Sequence, residues 1–173
     1  TDYEEDIYVG YRYFDSFGKQ VSYPFGYGLS YTTFEYGTPQ VKAENGTYTV
    51  TVDVKNTGKL PGKEVVELYV SAPQGGDLNK PEKELKAFAK TKLLQPGESE
   101  VVTLSWKLMD MASLNEKSSS WELPKGTYQW MVGASSADVR CTVTQKVSKA
   151  QKVKVHNAMI PPYKIAQHDM VKR

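Results

Sequence analysis

The side chains that could perform acid–base, metal or nucleophilic chemistry in this chain are few and scattered. The densest acidic cluster is formed by Glu4, Glu5 and Asp6, near the beginning of the sequence. Paired carboxyl groups can act as general acid and general base. Neighbouring acidic residues that open a segment, however, are more often solvated or ion-paired than catalytic. The cluster therefore predicts a solvated surface, and no catalytic residue is assigned to it.

The two histidines and the single cysteine do not form a catalytic or metal-binding pattern. His156 and His168 are separated by a stretch of the C-terminal tail, whereas a metal site needs a third ligand and a rigid frame. One cysteine, Cys141, excludes an internal disulfide and a cysteine-cluster metal site. Because Cys141 alternates with Val139 and Val143, we expect an inert thiol that points into a core. No metal site is predicted.

Two short motifs have structural explanations that are sufficient. The run Asn45-Gly46-Thr47 satisfies the N-glycosylation pattern, but Asn-Gly before an alternating segment is also a hairpin turn signal. Gly26 and Gly28 lack the third glycine and the following helix of a phosphate-binding loop. The sequence therefore predicts no cofactor site.

Composition is that of a globular protein. The chain has 173 residues, 39% hydrophobic and 24% charged, with a formal net charge of +2. Acidic and basic residues are interspersed until the more basic tail, which argues against a nucleic-acid partner because such a surface needs a clustered basic face. No apolar run reaches the roughly 18 to 20 residues that span a bilayer. The chain begins with Thr1 rather than Met, which suggests a processed chain or a fragment and makes the lack of a visible signal peptide uninformative.

Alternation of apolar and polar residues predicts most of the secondary structure. From Thr47 to Lys55, Tyr48, Val50, Val52 and Val54 fall on one face, which is typical of a half-buried strand. Further strands are predicted at 34–41, 64–71, 98–106, 128–132 and 139–143, with a strand pair within 85–94. The segments 73–81 and 109–122 are predicted to be an exposed loop and an irregular region, and 152–156 a weak edge strand.

These segments predict an all-β, immunoglobulin-like antiparallel sandwich of about seven strands, because turns recur every 8 to 15 residues and helical periodicity is almost absent. Seven apolar residues are expected in one buried layer between two sheets: Val52, Val66, Leu68, Leu104, Trp106, Trp130 and Val132. Tyr128 lies where the tyrosine corner of such sandwiches would fall.

An aromatic segment, residues 23–34, precedes the sandwich and is called the strap below. It reads Tyr-Pro-Phe-Gly-Tyr-Gly-Leu-Ser-Tyr-Thr-Thr-Phe, which is too broken by Gly and Pro for a helix and too aromatic for a solvated linker. We expect an extended segment that buries rings on another protein surface; a loop packed on its own domain is the alternative. Aromatic residues in and before the strap are expected to pack between domains rather than to bind sugars: Tyr11, Tyr13, Phe14, Tyr23, Phe25, Tyr27 and Tyr31.

The strap resembles the junction that leads into the C-terminal domain of glycoside hydrolase family 3 enzymes, the β-glucosidase family. The run from Tyr3 to Asp15 is similar to the end of that family's second catalytic domain. Further runs resemble its fibronectin type III-like domain: 54–58, 62–70, 84–88, 94–98, 126–128 and 132–136. The resemblance covers roughly residues 3 to 147 in the family's order. It departs at Ala87, where Gly is usual, and at 110–114, where the usual pattern is a more compact Asp-Leu.

The resemblance implies three segments: 1–33, the end of the α/β catalytic-region domain and the strap; 34–148, a fibronectin type III-like sandwich; and 149–173, an irregular C-terminal tail. It implies a parent that hydrolyses terminal non-reducing β-glycosyl residues with retention, using two carboxylates. In the family both carboxylates precede the matched region, so no catalytic residue carries over and the segment alone is expected to be inactive.

The resemblance also implies an accessory role, in which the module stabilises and orients upstream catalytic domains of the same chain. An oligosaccharide or disaccharide would be the substrate of the parent, and a periplasmic or secreted location is favoured for it. Self-association through the exposed strap is a further expectation. The alternatives are a free-standing carbohydrate-binding or adhesion module and, within the enzyme interpretation, a β-xylosidase or arabinosidase parent.

Overall fold

In a computed structural model, which describes residues 5–76 and 78–155, the chain forms one short helix and eleven strands in three antiparallel sheets. The helix α1 spans Tyr11–Ser16, and a short 3-10 helix spans Leu108–Met111. The strands are β1 (Phe34–Tyr36), β2 (Gln40–Glu44), β3 (Thr47–Asn56), β4 (Val65–Ser71), β5 (Glu84–Lys90), β6 (Ser99–Lys107), β7 (Ser113–Asn115), β8 (Ser120–Leu123), β9 (Gly126–Gly133), β10 (Val139–Val147) and β11 (Gln151–Lys154).

The first sheet is built on β3. Strand β6 pairs with almost the whole of β3, and β1 and β2 pair with successive parts of it, so they share its other edge. The predicted single strand 34–41 is therefore two strands that together reach Glu44. The break between them contains Pro39, which lacks the N–H that a continuous ladder would need. Asn45 and Gly46 have φ of 49° and 76° and form the predicted tight turn between β2 and β3.

The second sheet has the order β10-β9-β4-β5 and faces the first across the core. Trp106 on β6 meets Trp130 on β9 edge to face, with ring centroids 4.9 Å apart, and Tyr48 on β3 lies 4.6 Å from the Trp130 ring. The seven predicted core residues are all buried, from 0 to 4% exposed. The fold is thus a fibronectin type III-like sandwich, as the strand pattern indicated.

Tyr128 closes one end of the second sheet. Its hydroxyl donates a hydrogen bond of 2.9 Å to the carbonyl oxygen of Pro124, four residues earlier, while its ring is fully buried. This is the tyrosine-corner geometry expected from the sequence, and it fixes the turn that leads into β9.

Four further segments differ from the predictions. Residues 85–94 hold one strand, β5, and not a strand pair; beyond it, a single bridge joins Gly62 and Leu94. The region 109–122 is not irregular, because β7 and β8 form a hairpin that β11 extends to a third, three-stranded sheet with the order β11-β8-β7. The tail beyond 149 is consequently not wholly irregular either.

The predicted exposed loop 73–81 ends with Lys80 and Pro81 buried, since the N-terminal segment and β7 contact Lys80.

Candidate functional site: the strap and its seat

The segment before the strap is fixed to the sandwich through α1. The Tyr11 hydroxyl accepts a hydrogen bond of 2.8 Å from the Leu85 N–H, and Ser16 Oγ accepts one of 2.8 Å from the Glu82 N–H. The guanidinium of Arg12 lies 2.9 Å from the carboxylate of Glu84. The helix thus lies against the beginning of β5 through backbone and side-chain contacts.

The first half of the strap packs on the outer face of β4. The Phe25 ring stacks on Tyr11 at 4.4 Å, and Tyr11 in turn meets Tyr69 of β4 edge to face at 6.1 Å. The carbonyl oxygen of Phe25 accepts a hydrogen bond of 2.8 Å from the Ser136 N–H, in the connection between β9 and β10. Both faces of β4 are therefore covered, and Tyr69 is fully buried.

A buried carboxylate lies beneath the strap at Gly26. Glu67 is 6% exposed and accepts a hydrogen bond of 2.5 Å from the Tyr69 hydroxyl. Burial raises the pKa of Glu67 above the usual range, and the hydrogen bond from Tyr69 opposes that rise. Burial also raises the pKa of Tyr69, and the hydrogen bond to Glu67 adds to it. We call Tyr11, Phe25, Gly26, Glu67 and Tyr69 the strap seat.

Gly26 is required at this seat for two reasons. Its φ of 80° lies in the left-handed region that favours glycine. A Cβ at this position would also fall 2.3 and 2.4 Å from the two Glu67 carboxylate oxygens, so the Glu67 carboxylate would have to move from its place under the strap. Residue 26 thus brings the backbone of the strap directly over the carboxylate, a role unrelated to phosphate binding.

The end of the strap is held by the amide of Asn56, which is fully buried. Its Nδ2 donates to the carbonyl oxygens of Leu60 at 2.8 Å and Leu94 at 2.9 Å. Its Oδ1 accepts from Thr32 Oγ1 at 2.6 Å and from the Gly58 N–H at 3.0 Å. One side chain therefore joins the strap to two loops of the sandwich with all of its amide hydrogen-bonding groups in use.

Between these two attachments the strap exposes apolar side chains. Leu29 is 90% exposed and Tyr31 94% exposed. We call residues 29–31 the arch. A shallow cleft of about 340 Å³ lies beside it, lined by residues 30–33 and 58–60. Apolar side chains this exposed and held in place by both flanks are typical of a surface that meets another protein.

The structure divides the aromatic residues that were predicted to pack between domains. It brings Tyr11 and Phe25 together on the sandwich, whereas Tyr23 and Tyr27 contact each other at 5.2 Å and are 71% and 48% exposed. Tyr13 and Phe14 meet edge to face on α1, at 5.5 Å. The strap is therefore partly a loop packed on its own domain, the alternative interpretation, and partly an exposed surface.

Of the titratable residues singled out from the sequence, those that the structure describes do not converge. Glu5 and Asp6 are exposed, and Glu4, His156 and His168 lie outside the described residues. Cys141 is half-buried rather than buried, because β10 is at the edge of its sheet; its Sγ donates to the Gly37 carbonyl oxygen at 3.5 Å. Burial raises the pKa of the Cys141 thiol.

Within residues 5–76 and 78–155, no three His, Cys, Asp or Glu side chains are grouped so that they could hold a metal ion. In the same part of the chain, no helix has the length and apolar character needed to cross a membrane.

Sequence reasoning missed Glu67, Tyr69 and Asn56. The alternation in β4 predicts that Val66, Leu68 and Val70 face the core, and therefore that Glu67 and Tyr69 face solvent. Two signals were available: Tyr69 is a large aromatic on the presumed polar face, and Asn56 follows a long alternating strand at a turn. Sequence reasoning also missed a second group of exposed apolar side chains. On the third sheet, Trp121 of β8 pairs in register with Leu114 of β7 and with Val153 of β11, and all three are exposed.

Comparison with known proteins places this architecture in a family. Residues 64–136 match the family model for the fibronectin type III-like domain. The chain is 45% identical over 185 residues to beta-glucosidase A of Butyrivibrio fibrisolvens, with 93% of this chain and 22% of that protein covered. It is 43% identical to an exo-alpha-(1->6)-L-arabinopyranosidase of Bifidobacterium longum, with 83% of this chain and 19% of that protein covered.

Solved structures agree. Beta-glucosidase 3B from Thermotoga neapolitana matches with a TM-score of 0.84 and 48% identity, over 88% of this chain and 21% of that one. A beta-glucosidase from Paenibacillus barengoltzii matches with a TM-score of 0.88 and 42% identity, over 94% of this chain and 19% of that one. The chain thus spans about a fifth of the length of the relatives it matches. It corresponds to the C-terminal region of glycoside hydrolase family 3 enzymes, is β-glucosidase-like in sequence, and contains their fibronectin type III-like domain.

Proposed function

We propose that this chain is the C-terminal accessory module of a retaining β-glycosidase. In this proposal, residues 34–148 are the sandwich, residues 1–33 link it to upstream catalytic domains, and residues 149–173 are a tail. The upstream domains supply both catalytic carboxylates and hydrolyse terminal non-reducing β-glycosyl residues, while the module stabilises and orients them.

The observation that carries this proposal is the arch. Leu29 and Tyr31 are almost fully exposed, yet the residues before and after them are fixed to the sandwich by Ser136 and Asn56. Holding apolar side chains in fixed positions in water does not stabilise the module itself. A pre-organised apolar projection, however, lowers the entropic cost of docking to a partner. The partner with the best support is the catalytic region that makes up the remaining four-fifths of the relatives.

A chimera tests this docking role. The C-terminal region of the Thermotoga neapolitana enzyme is replaced by this chain, and melting temperature and hydrolysis of an aryl β-glucoside are measured. We expect a folded, active chimera in which the double variant Leu29→Asp/Tyr31→Asp lowers both. The matched control is Val101→Asp, at a 63% exposed position on β6 opposite Asp53, where the like charge should lower the melting temperature only slightly and leave hydrolysis unchanged.

The same double variant in the isolated 173-residue chain separates docking from folding. Because the arch contributes little buried area there, the melting temperature of the isolated chain should not change. A chimera that tolerates the double variant as well as it tolerates Val101→Asp would contradict the docking role.

The isolated chain also tests the location of the catalytic groups. It should hydrolyse aryl β-glucosides no faster than a buffer control, since the proposal places both carboxylates upstream. Turnover that is abolished by changing a single Glu or Asp of this chain would overturn the proposal.

One observation favours a second candidate, a free-standing carbohydrate-binding or adhesion module. The Phe25 half of the strap packs on its own sandwich and needs no other domain to do so. Retarded migration of the isolated chain in gels that contain β-glucan or xylan would support this candidate. Within the enzyme interpretation, a β-xylosidase or arabinosidase parent remains an alternative, as the names of the arabinopyranosidase relatives suggest for the latter.

A further inference from the structure

The strap seat contains a buried carboxylic acid. Glu67 lies on the outer face of β4, 6% exposed, with the backbone of Gly26 directly above both carboxylate oxygens. In the described part of the chain, no Lys, Arg or His side chain forms an ion pair with Glu67. Its carboxylate accepts a hydrogen bond from the neutral Tyr69 hydroxyl. A buried carboxylate without a cation is costly when it is ionised.

We propose that Glu67 makes the docking of the strap on the sandwich pH-dependent: the strap is seated most firmly when Glu67 is protonated and opens more readily when Glu67 carries its charge. This concerns the contact between the strap and its own sandwich, so it stands whether or not the arch docks to catalytic domains.

The groups around the seat do not offset this charge. On β4, the neighbouring titratable group is Tyr69; Glu64, which precedes β4, adds a like charge. Helix α1 presents Tyr11 and Asp15, both of which influence Tyr69. The residues opposite Glu67 on β5 and β9 are Phe88 and Gly133, which do not titrate.

Four nearby cations are paired with other carboxylates, and Lys90, two residues after Phe88 on β5, is exposed. Arg12 and Lys86 contact Glu84, Lys83 contacts Asp15, and Arg140 contacts Asp138. The titratable strap residues closest in sequence to Gly26 are Tyr23 and Tyr27, which contact each other. Glu67 is therefore the one carboxyl group among the five residues of the strap seat, and burial moves its protonation above the ordinary range for a glutamate.

The direction of the effect follows from proton linkage. With the strap seated, burial raises the pKa of Glu67; with the strap lifted, the carboxyl is solvated and titrates near its ordinary value of about 4.3. The seated state binds more protons, so its stability is fully present below the ordinary pKa and is lost as pH rises toward the raised one. Above the raised pKa, no further change is expected.

Amide hydrogen exchange measured by NMR on the 173-residue chain tests the proposal. The Ser136 N–H donates to the Phe25 carbonyl oxygen and reports on the seat, whereas the Thr57 N–H donates to the Thr33 carbonyl oxygen and reports on the strap's other attachment. After correction for intrinsic exchange, the opening constant at Ser136 should rise from pH 4 upward, by at most about tenfold per pH unit, and then level off. The constant at Thr57 should not follow it.

Three variants identify the group responsible. Glu67→Gln keeps the shape and removes the charge, so opening at Ser136 should stay low and independent of pH. Glu64→Gln is the matched control, because the carboxyl of Glu64 also has a pKa raised by burial and is influenced by Arg140, Asp138 and Glu67; the pH dependence at Ser136 should persist in this variant, and loss of the neighbouring like charge can move its upper end only to lower pH. Tyr69→Phe removes the donor to the carboxylate and should move the upper end of the pH window to higher pH.

A pH profile at Ser136 that survives Glu67→Gln, or that Thr57 shares, would overturn the proposal. If Glu67→Gln does not fold, the test rests on Tyr69→Phe. A pH range of opening at Ser136 that is the same in Tyr69→Phe and in the unmodified chain would show that Glu67 is not the titrating group.

Discussion

The core of the sandwich and the strap are both rich in aromatic residues, but they use them differently. Tyr48, Trp106 and Trp130 are at most 8% exposed and contact one another across the two facing sheets. In the strap, Tyr23 and Tyr31 are 71% and 94% exposed, although hydrogen bonds to the sandwich hold the chain before them at Ser16 and after them at Thr32. Residue type alone thus does not decide burial; what decides it is whether another segment covers the ring, as the facing sheet does in the core and as α1 does over Tyr69.

The largest effect should come from the core. Trp130→Ala removes a fully buried ring between the sheets and should lower the free energy of unfolding by about 3 to 5 kcal/mol, measured by urea denaturation. The matched control is Trp121→Ala on the third sheet, 43% exposed, with an expected loss of about 1 kcal/mol or less. Similar losses for the two variants would contradict the assignment of Trp130 to the core.

A variant at the junction between the two regions should lose an intermediate amount of unfolding free energy. Asn56→Ala removes the donor to the Leu60 carbonyl oxygen, the acceptor of the Gly58 N–H and one of two donors to the Leu94 carbonyl oxygen, which should cost about 1 to 3 kcal/mol. Thr33→Ala, which deletes an exposed hydroxyl paired with Thr57, should change stability by about 0.5 kcal/mol or less. If urea denaturation gave both variants the same small loss, Asn56 would not be what fixes the strap.

The smallest effects should separate the two halves of the strap. Phe25→Ala removes the ring stacked on Tyr11 and should raise the opening constant at the Ser136 amide by an amount equivalent to about 0.5 to 1.5 kcal/mol. Tyr31→Ala, at the arch, should leave that constant unchanged in the isolated chain. Equal responses of the Ser136 amide to the two variants would mean that the strap behaves as one unit.

Strands with strict alternation could be predicted from the sequence. Tyr48, Val50, Val52 and Val54 point inward from β3 as expected, because a period of two matches the pleat of a strand with one covered face. The tyrosine corner could also be placed, since Tyr128 follows a turn that begins at Pro124. These features depend on neighbours close in sequence.

Features that depend on distant segments could not be predicted. Glu67 and Tyr69 look solvent-facing in β4, and only the arrival of Tyr11 and Phe25, more than 40 residues earlier, covers them. The hairpin of β7 and β8 was missed because three- and four-residue strands are too short to display a period. Its stability comes from pairing with β11, which lies about 30 residues later. The strap seat could not be predicted either, because its residues come from segments that are distant in the sequence.

The arrangement of the three tryptophans gives the chain a built-in optical reporter. Two indoles lie perpendicular to each other in a dry interior, so they should emit at short wavelength and give a strong near-ultraviolet circular dichroism signal that vanishes when the sheets separate. The third, on the outer sheet, should emit at longer wavelength and respond to a soluble quencher such as iodide. A single sample can therefore distinguish melting of the interior from a change at the surface, without any attached dye.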